Sequence, residues 1–295
     1  MSDHPPKFYR DDPNFADIKP LPLPQQTGDP FYINYSEEYI DLFGYFMALV
    51  NKEEISERAL SVAERVINRY SNHYTAWWYK YHILETLKYD LDKELDFITN
   101  ILTENPKSYQ AWHYRQWLID RATEFHDELP FLVKTFIKDS KNFHAWSYSI
   151  WYAERWNQVK EIYNLAVLQV RNDSRNNSAW NARRTLGEKL NISLESEFEA
   201  VEKSLLTVGK NESACNFAMA LVDKDQTLKQ KLKDLALKMI EKNNENVQAL
   251  RLLIYVANLD GDAAEISSLC EKLMKLDPIR IPYYTLLKSG KIKFQ

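Results

Sequence analysis

Residues 106–115 read Pro106-Lys107-Ser108-Tyr109-Gln110-Ala111-Trp112-His113-Tyr114-Arg115, and the pattern returns along the chain. Trp77, Trp112, Trp146 and Trp180 stand 35, 34 and 34 residues apart, and two further steps of 35 land on Cys215 and Leu250. Alanine precedes each of these six marks: Ala76, Ala111, Ala145, Ala179, Ala214 and Ala249. Four residues before the mark stands Ser108, Asn142, Asn176, Asn211 or Asn246, with His73 the exception. A period of this size marks stacked pairs of helices. Ser and Asn are favoured N-caps because their side-chain oxygens accept from backbone N–H groups that no helical carbonyl reaches. The second helix of each pair is therefore expected to start there, with its tryptophan in the first turns on the buried face. Pro106 closes the helix before it.

The first helix of each pair is legible too. Leu91, Leu95, Ile98 and Leu102 recur at steps of 4, 3 and 4; Leu132 and Phe136, then Val159, Ile162, Tyr163, Ala166, Val167 and Val170, repeat the theme. This is a helical period. The expected fold class is all-α: a right-handed solenoid of antiparallel helix pairs, an alpha-alpha superhelix of 34–35-residue repeats. It is expected over residues 31–295 and clearest at 72–220. Pro20, Pro22, Pro24 and Pro30, with Gly28, set residues 1–30 apart as an extended Pro-rich N-terminal arm that cannot be helical.

Composition excludes several classes. The 295 residues are 45% apolar and 27% charged, with a net charge of -4, so there is no electrostatic case for nucleic acid or an anionic membrane. No apolar run reaches transmembrane length. The start, Ser2-Asp3-His4-Pro5-Pro6-Lys7, lacks the apolar stretch of a signal segment. Cys215 and Cys270 lie in no CxxC or His-rich cluster, so no metal site is read from them, and a cytoplasmic location is expected. With only 6 glycines, the chain has no GxGxxG or GxxxxGK[ST] loop, and it lacks HExxH and GxSxG.

Lys107, Tyr109, Gln110, Lys141, Phe143 and His144 fall at equivalent positions by helix N-termini. Free N–H groups and partial positive charge favour an anion there, and the lysines add full charge. The pattern suits a phosphate or diphosphate, and it equally suits capping and surface duty. The tryptophans read as packing between repeats. Lys80, Arg115 and Arg183, three residues after their marks, share that face, while Ser149 and Ala218 break the pattern. His113 is expected to pack beside Trp112, His126 to be solvated, and Glu53-Glu54 to lie on a solvated helix face. No residues form a self-contained catalytic constellation.

The repeat text resembles the alpha subunits of protein prenyltransferases, whose repeat has the form N-Y-x-x-W-x-x-R. Residues 106–115 carry it, and the segments Lys141–Trp146 and Arg175–Asn181 follow in order. Phe15-Ala16-Asp17-Ile18-Lys19-Pro20-Leu21-Pro22, Ser56-Glu57-Arg58-Ala59-Leu60 and Asp277-Pro278-Ile279-Arg280 resemble other stretches of the farnesyltransferase and geranylgeranyltransferase type I alpha subunit. The resemblance implies a crescent of helical hairpins around a beta subunit that carries the catalytic zinc, with magnesium accompanying the diphosphate. The heterodimer would transfer farnesyl or geranylgeranyl from its diphosphate to the cysteine of a CaaX motif on proteins such as small GTPases. It assigns Lys107 and His144 to the diphosphate as catalytic residues, places Tyr109 beside them, and gives Gln110 the peptide's C-terminal carboxylate. Asn142 and Phe143 join them as substrate contacts, Phe143 standing in place of a tyrosine. Two other readings are the alpha subunit of the Rab geranylgeranyltransferase and a non-enzymatic helical-repeat adaptor.

Overall fold

A computed structural model describes residues 8–23 and 33–294; Pro24, Gly28 and Pro30 lie outside them. The described residues hold fifteen α-helices, four 3-10 turns and no strand, so the chain is all-α. They divide into two compact units, 1–126 and 127–295. The first contains α1 (Glu37–Asn51), α2 (Glu57–Arg69), α3 (Tyr74–Thr86), α4 (Leu91–Glu104) and α5 (Tyr109–Arg121). The second contains α6 (Leu129–Lys138), α7 (Phe143–Arg155), α8 (Val159–Asn172), α9 (Asn177–Lys189) and α10 (Leu194–Thr207). It continues with α11 (Glu212–Lys224), α12 (Lys229–Lys242), α13 (Val247–Asp260), α14 (Ala263–Leu276) and α15 (Ile281–Lys288). In each unit successive helices pair: α2 with α3 and α4 with α5, then α8 with α9, α10 with α11 and α12 with α13.

Every marked helix starts where the repeat predicts. Ser108, Asn142, Asn176, Asn211 and Asn246 accept from the N–H of the alanine three residues on, at 2.9–3.4 Å. His73 does the same through Nδ1 at 3.2 Å. All six alanines are fully buried, so a methyl is the largest group that fits beside the cap. The tryptophans pack inside, and each also closes a loop. The indole N–H groups of Trp77, Trp112, Trp146 and Trp180 donate to the carbonyls of Ser71, Pro106, Ser140 and Ser174 at 2.7–2.9 Å.

These carbonyls tie neighbouring repeats together. Ser108 Oγ donates to Ser71 O (3.1 Å), Asn176 Nδ2 to Ser140 O (2.7 Å) and Asn211 Nδ2 to Ser174 O (2.6 Å). One carbonyl, with two lone pairs, thus takes its own repeat's indole and the next repeat's cap. An amide suits the post because it accepts from its own helix and donates backwards at once.

Residues 8–23 are no plain extended arm. Tyr9–Asp11 and Pro13–Phe15 are single 3-10 turns, and Tyr9, Phe15 and Ile18 are buried. Asp41, buried on α1, accepts from the N–H groups of Tyr9 (2.6 Å) and Arg10 (3.3 Å). Arg58 on α2 forks onto Asp17 at 2.7 and 2.9 Å and bonds Glu54 at 2.6 Å. Glu54 therefore sits in a clamp in the α1–α2 turn, and Glu53 has a positive φ of 51° there. Neither occupies the solvated helix face expected of them. The segment is a strap fastened across α1 and α2.

Candidate functional site

Lys107, Tyr109 and Gln110 gather at the N-terminus of α5. Ser108, between them, is turned inward by its cap and its bond to Ser71, and this leaves its neighbours outside. Lys107 is exposed, and its ammonium makes no ion pair or hydrogen bond among the described residues. The ring of Tyr109 is 68% exposed although it is nonpolar over most of its surface. Tyr109, Gln110 and His113 on α5 face Tyr74, Trp78 and Tyr81 on α3 across a groove of about 360 Å³, with Trp77 as its floor. The Tyr81 hydroxyl lies 3.1 Å from His113 Nδ1, and burial raises the Tyr81 pKa. His113 is thus an exposed rim residue rather than one packed beside Trp112. The cause is helical: one position after a buried tryptophan, a side chain is rotated ~100° outward.

In the second unit, Lys141, Asn142, Phe143 and His144 surround the N-terminus of α7. They differ in what remains available. Asn142 is 2% exposed and caps α7, so its side chain serves the fold and offers no face to a substrate. Lys141 is held 2.8 Å from Asp173. That bond is the first cause of the lowered Asp173 pKa, with the Arg175 N–H also on the carboxylate. Phe143 projects with 68% exposure, its ring 5.6 Å from that of half-buried His144. His126, expected in solvent, is also half-buried. Lys107 and Lys141 are equivalent in sequence, yet one is free and the other neutralised.

Two of the buried cations, Lys80 and Arg183, have carboxylate partners. Lys80, with no exposure, lies 2.5 Å from Glu64 and 2.8 Å from Glu94, which also accepts from Tyr114 Oη at 2.6 Å. Arg183 lies 2.7 Å from Glu197, which accepts from Tyr163 Oη at 2.5 Å. Glu94 and Glu197 each stand 14 residues after their cation; 14 residues after Ser149 the chain has Tyr163. Where the cation is lost, so is its counter-charge, and no unpaired buried charge results. Among the described residues no three His, Cys, Asp or Glu side chains are grouped to hold a metal ion, and no helix is long and apolar enough to cross a membrane.

The family model for the protein prenyltransferase alpha subunit repeat matches residues 56–87 and 91–122. These are the α2–α3 and α4–α5 hairpins. Two hairpins of the first unit are thus similar to that repeat. Among its relatives, the protein farnesyltransferase/geranylgeranyltransferase type-1 subunit alpha of Candida albicans is 37% identical over 115 residues, 39% of this chain and 38% of the relative. The Schizosaccharomyces pombe protein of the same description is 34% identical over 115 residues, 38% and 39% of the two chains. The matched stretch thus spans well under half of these relatives. The geranylgeranyl transferase type-2 subunit alpha of Rattus norvegicus is 29% identical over 80 residues, 24% of this chain and 14% of the relative. The fold likeness is far broader. A solved Candida albicans protein geranylgeranyltransferase-I complexed with GGPP superposes with a TM-score of 0.84 at 27% identity, covering 94% of this chain and 98% of that one. The likeness in shape to that structure therefore continues where the sequence match stops.

Proposed function

We propose that this chain is the alpha subunit of a heterodimeric CaaX protein prenyltransferase of the farnesyltransferase/geranylgeranyltransferase type I kind. The observation that carries the reading is the coincidence of the family repeat at 91–122 with a free Lys107 and an outward Gln110 at the head of its second helix. The type-1 relatives match longer stretches at higher identity than the type-2 relative does, which favours the CaaX enzymes over the Rab enzyme. In this reading a beta subunit supplies the zinc and magnesium accompanies the diphosphate. The substrates are farnesyl or geranylgeranyl diphosphate and CaaX proteins.

Lys107 faces the leaving diphosphate. A free ammonium stabilises charge that grows as the allylic C–O bond breaks, so its contribution is largest in the transition state. Tyr109 flanks it with an aromatic face, Gln110 donates its amide to the peptide's carboxylate, His144 serves the diphosphate and Phe143 is a substrate contact. The test is single-turnover transfer by the co-expressed heterodimer. A hydrogen bond to a charged group is worth about 1.5–3 kcal/mol, so Lys107→Ala should slow transfer roughly ten- to hundred-fold with little change in peptide affinity. Gln110→Ala should weaken the peptide instead. Lys141→Ala should change little, because Asp173 already holds that ammonium. Near-wild-type transfer by Lys107→Ala overturns the site assignment.

A further inference from the structure

Three repeats beyond the aromatic groove, the second unit has an equivalent groove of opposite chemistry. It lies between α9 and α11, encloses about 210 Å³ and has Trp180, Phe217 and Ala220 as its floor. Asn177, Asn181 and Arg184 stand where α3 has Tyr74, Trp78 and Tyr81; Ser213 and Asn216 stand where α5 has Gln110 and His113. The repeat accepts aromatics at these positions, so packing does not demand the polar ones. Nor does internal bonding. The side chains of Asn177 and Asn216 make no hydrogen bond among the described residues, and Arg184 makes one bond, to Asn181 Oδ1 at 3.3 Å. The groove leads on past Gly187 to the Glu188–Lys224 ion pair, 2.5 Å apart. Among the described residues, Arg184 is therefore its one charge not matched by a carboxylate.

We propose that this groove seats an extended, carboxylate-bearing strand of the protein with which the chain assembles. Each asparagine amide offers an acceptor and two donors, which matches a peptide unit's N–H and C=O. The guanidinium offers a planar fork for an Asp or Glu. The groove's lining runs from Asn177 to Arg184 on α9 and from Ser213 to Ala220 on α11, about 10 Å at 1.5 Å per residue, the length of roughly three extended residues. A strand of that size buries far less than the ~1,200 Å² of a stable interface. It therefore fits as one part of a larger, lasting contact rather than as an independent docking site for a passing substrate.

The proposal rests on the heterodimer reading above, and the test separates the two. In the co-expressed complex, Asn181 is replaced by the photo-crosslinker p-benzoylphenylalanine and the product is mapped by mass spectrometry. The expected result is a single partner segment, non-helical and containing Asp or Glu. Arg184→Glu should weaken assembly roughly ten- to hundred-fold, with rescue by a Lys at the crosslinked acidic position. Asn181→Ala with Asn216→Ala should weaken it less, with the melting temperature kept. Lys203→Glu on α10 makes the same charge change outside the groove and is the control. Equal effects of Arg184→Glu and Lys203→Glu, or crosslinks to a helix without an acid, overturn the groove. Transfer activity of the wild-type complex reads the enzyme proposal separately: a complex that assembles without transferring prenyl groups sinks that reading and leaves the groove result standing. A chain that joins no beta subunit sinks both.

Discussion

Asn176 shows how much one side chain carries in this repeat. Its Oδ1 caps α9 on Ala179 N at 3.1 Å while its Nδ2 reaches Ser140 O at 2.7 Å in the preceding repeat. In an isolated helix Asp caps as well as Asn. Here Asn176→Asp should still cost about 1–3 kcal/mol, because a carboxylate has no proton for Ser140 O, and Asn176→Ala should be at least as damaging. A urea midpoint for Asn176→Asp equal to wild type would show that the backward bond contributes nothing. His73 supplies a second case. It caps α3 with Nδ1, and burial lowers its pKa, so the folded chain holds it neutral. Such a group withdraws stability as pH falls below the unfolded value of ~6.5. His73→Asn should flatten the pH dependence of the first unit's melting temperature between pH 7 and 5. A variant that retains the wild-type slope counts against the cap.

At the scale of elements, the strap over α1 and α2 is the least repeat-like feature. Its backbone crosses α1 at Gly44, where Leu21 N–H donates to Gly44 O at 3.0 Å. A Cβ there would lie 3.0 Å from Leu21 O and 3.1 Å from Pro20 Cβ. Alanine normally favours a helix interior by about 1 kcal/mol over glycine, yet Gly44→Ala should destabilise the first unit because the strap must lift. Increased hydrogen exchange at Leu21 and in α1 is the readout, and unchanged exchange with a raised melting temperature is the contrary result. The Arg58 bond is the first cause that lowers the Asp17 pKa to about 2. A depressed carboxylate stabilises above its unfolded pKa of ~3.9 and loses that contribution as pH falls through the folded value. The strap should accordingly loosen between pH 4 and 2, and Asp17→Asn should remove that acid step, as followed by exchange or by fluorescence of a probe on the strap.

For the whole molecule, Tyr74, Trp78 and Tyr109 line one groove as large rings left more than half exposed. Clustered apolar exposure of this kind marks a binding surface, so the chain purified alone should self-associate, and co-expression with a beta subunit should suppress this. Sedimentation velocity distinguishes the cases; a monodisperse monomer at micromolar concentration contradicts the prediction. What residues 72–250 determined unaided was the repeat itself. Caps, buried alanines and tryptophans obey local rules, since a helix start needs an acceptor within three residues and a buried face recurs every turn. Tertiary structure decided the rest: the backward donation of Asn176, the silencing of Lys141 by Asp173 while Lys107 stays free, and the crossing at Gly44. Several of these depend on groups 23 to 36 residues apart, brought together only when hairpins stack and the strap folds back. A sequence pattern records which residue recurs at each position; which neighbour it meets is set by packing.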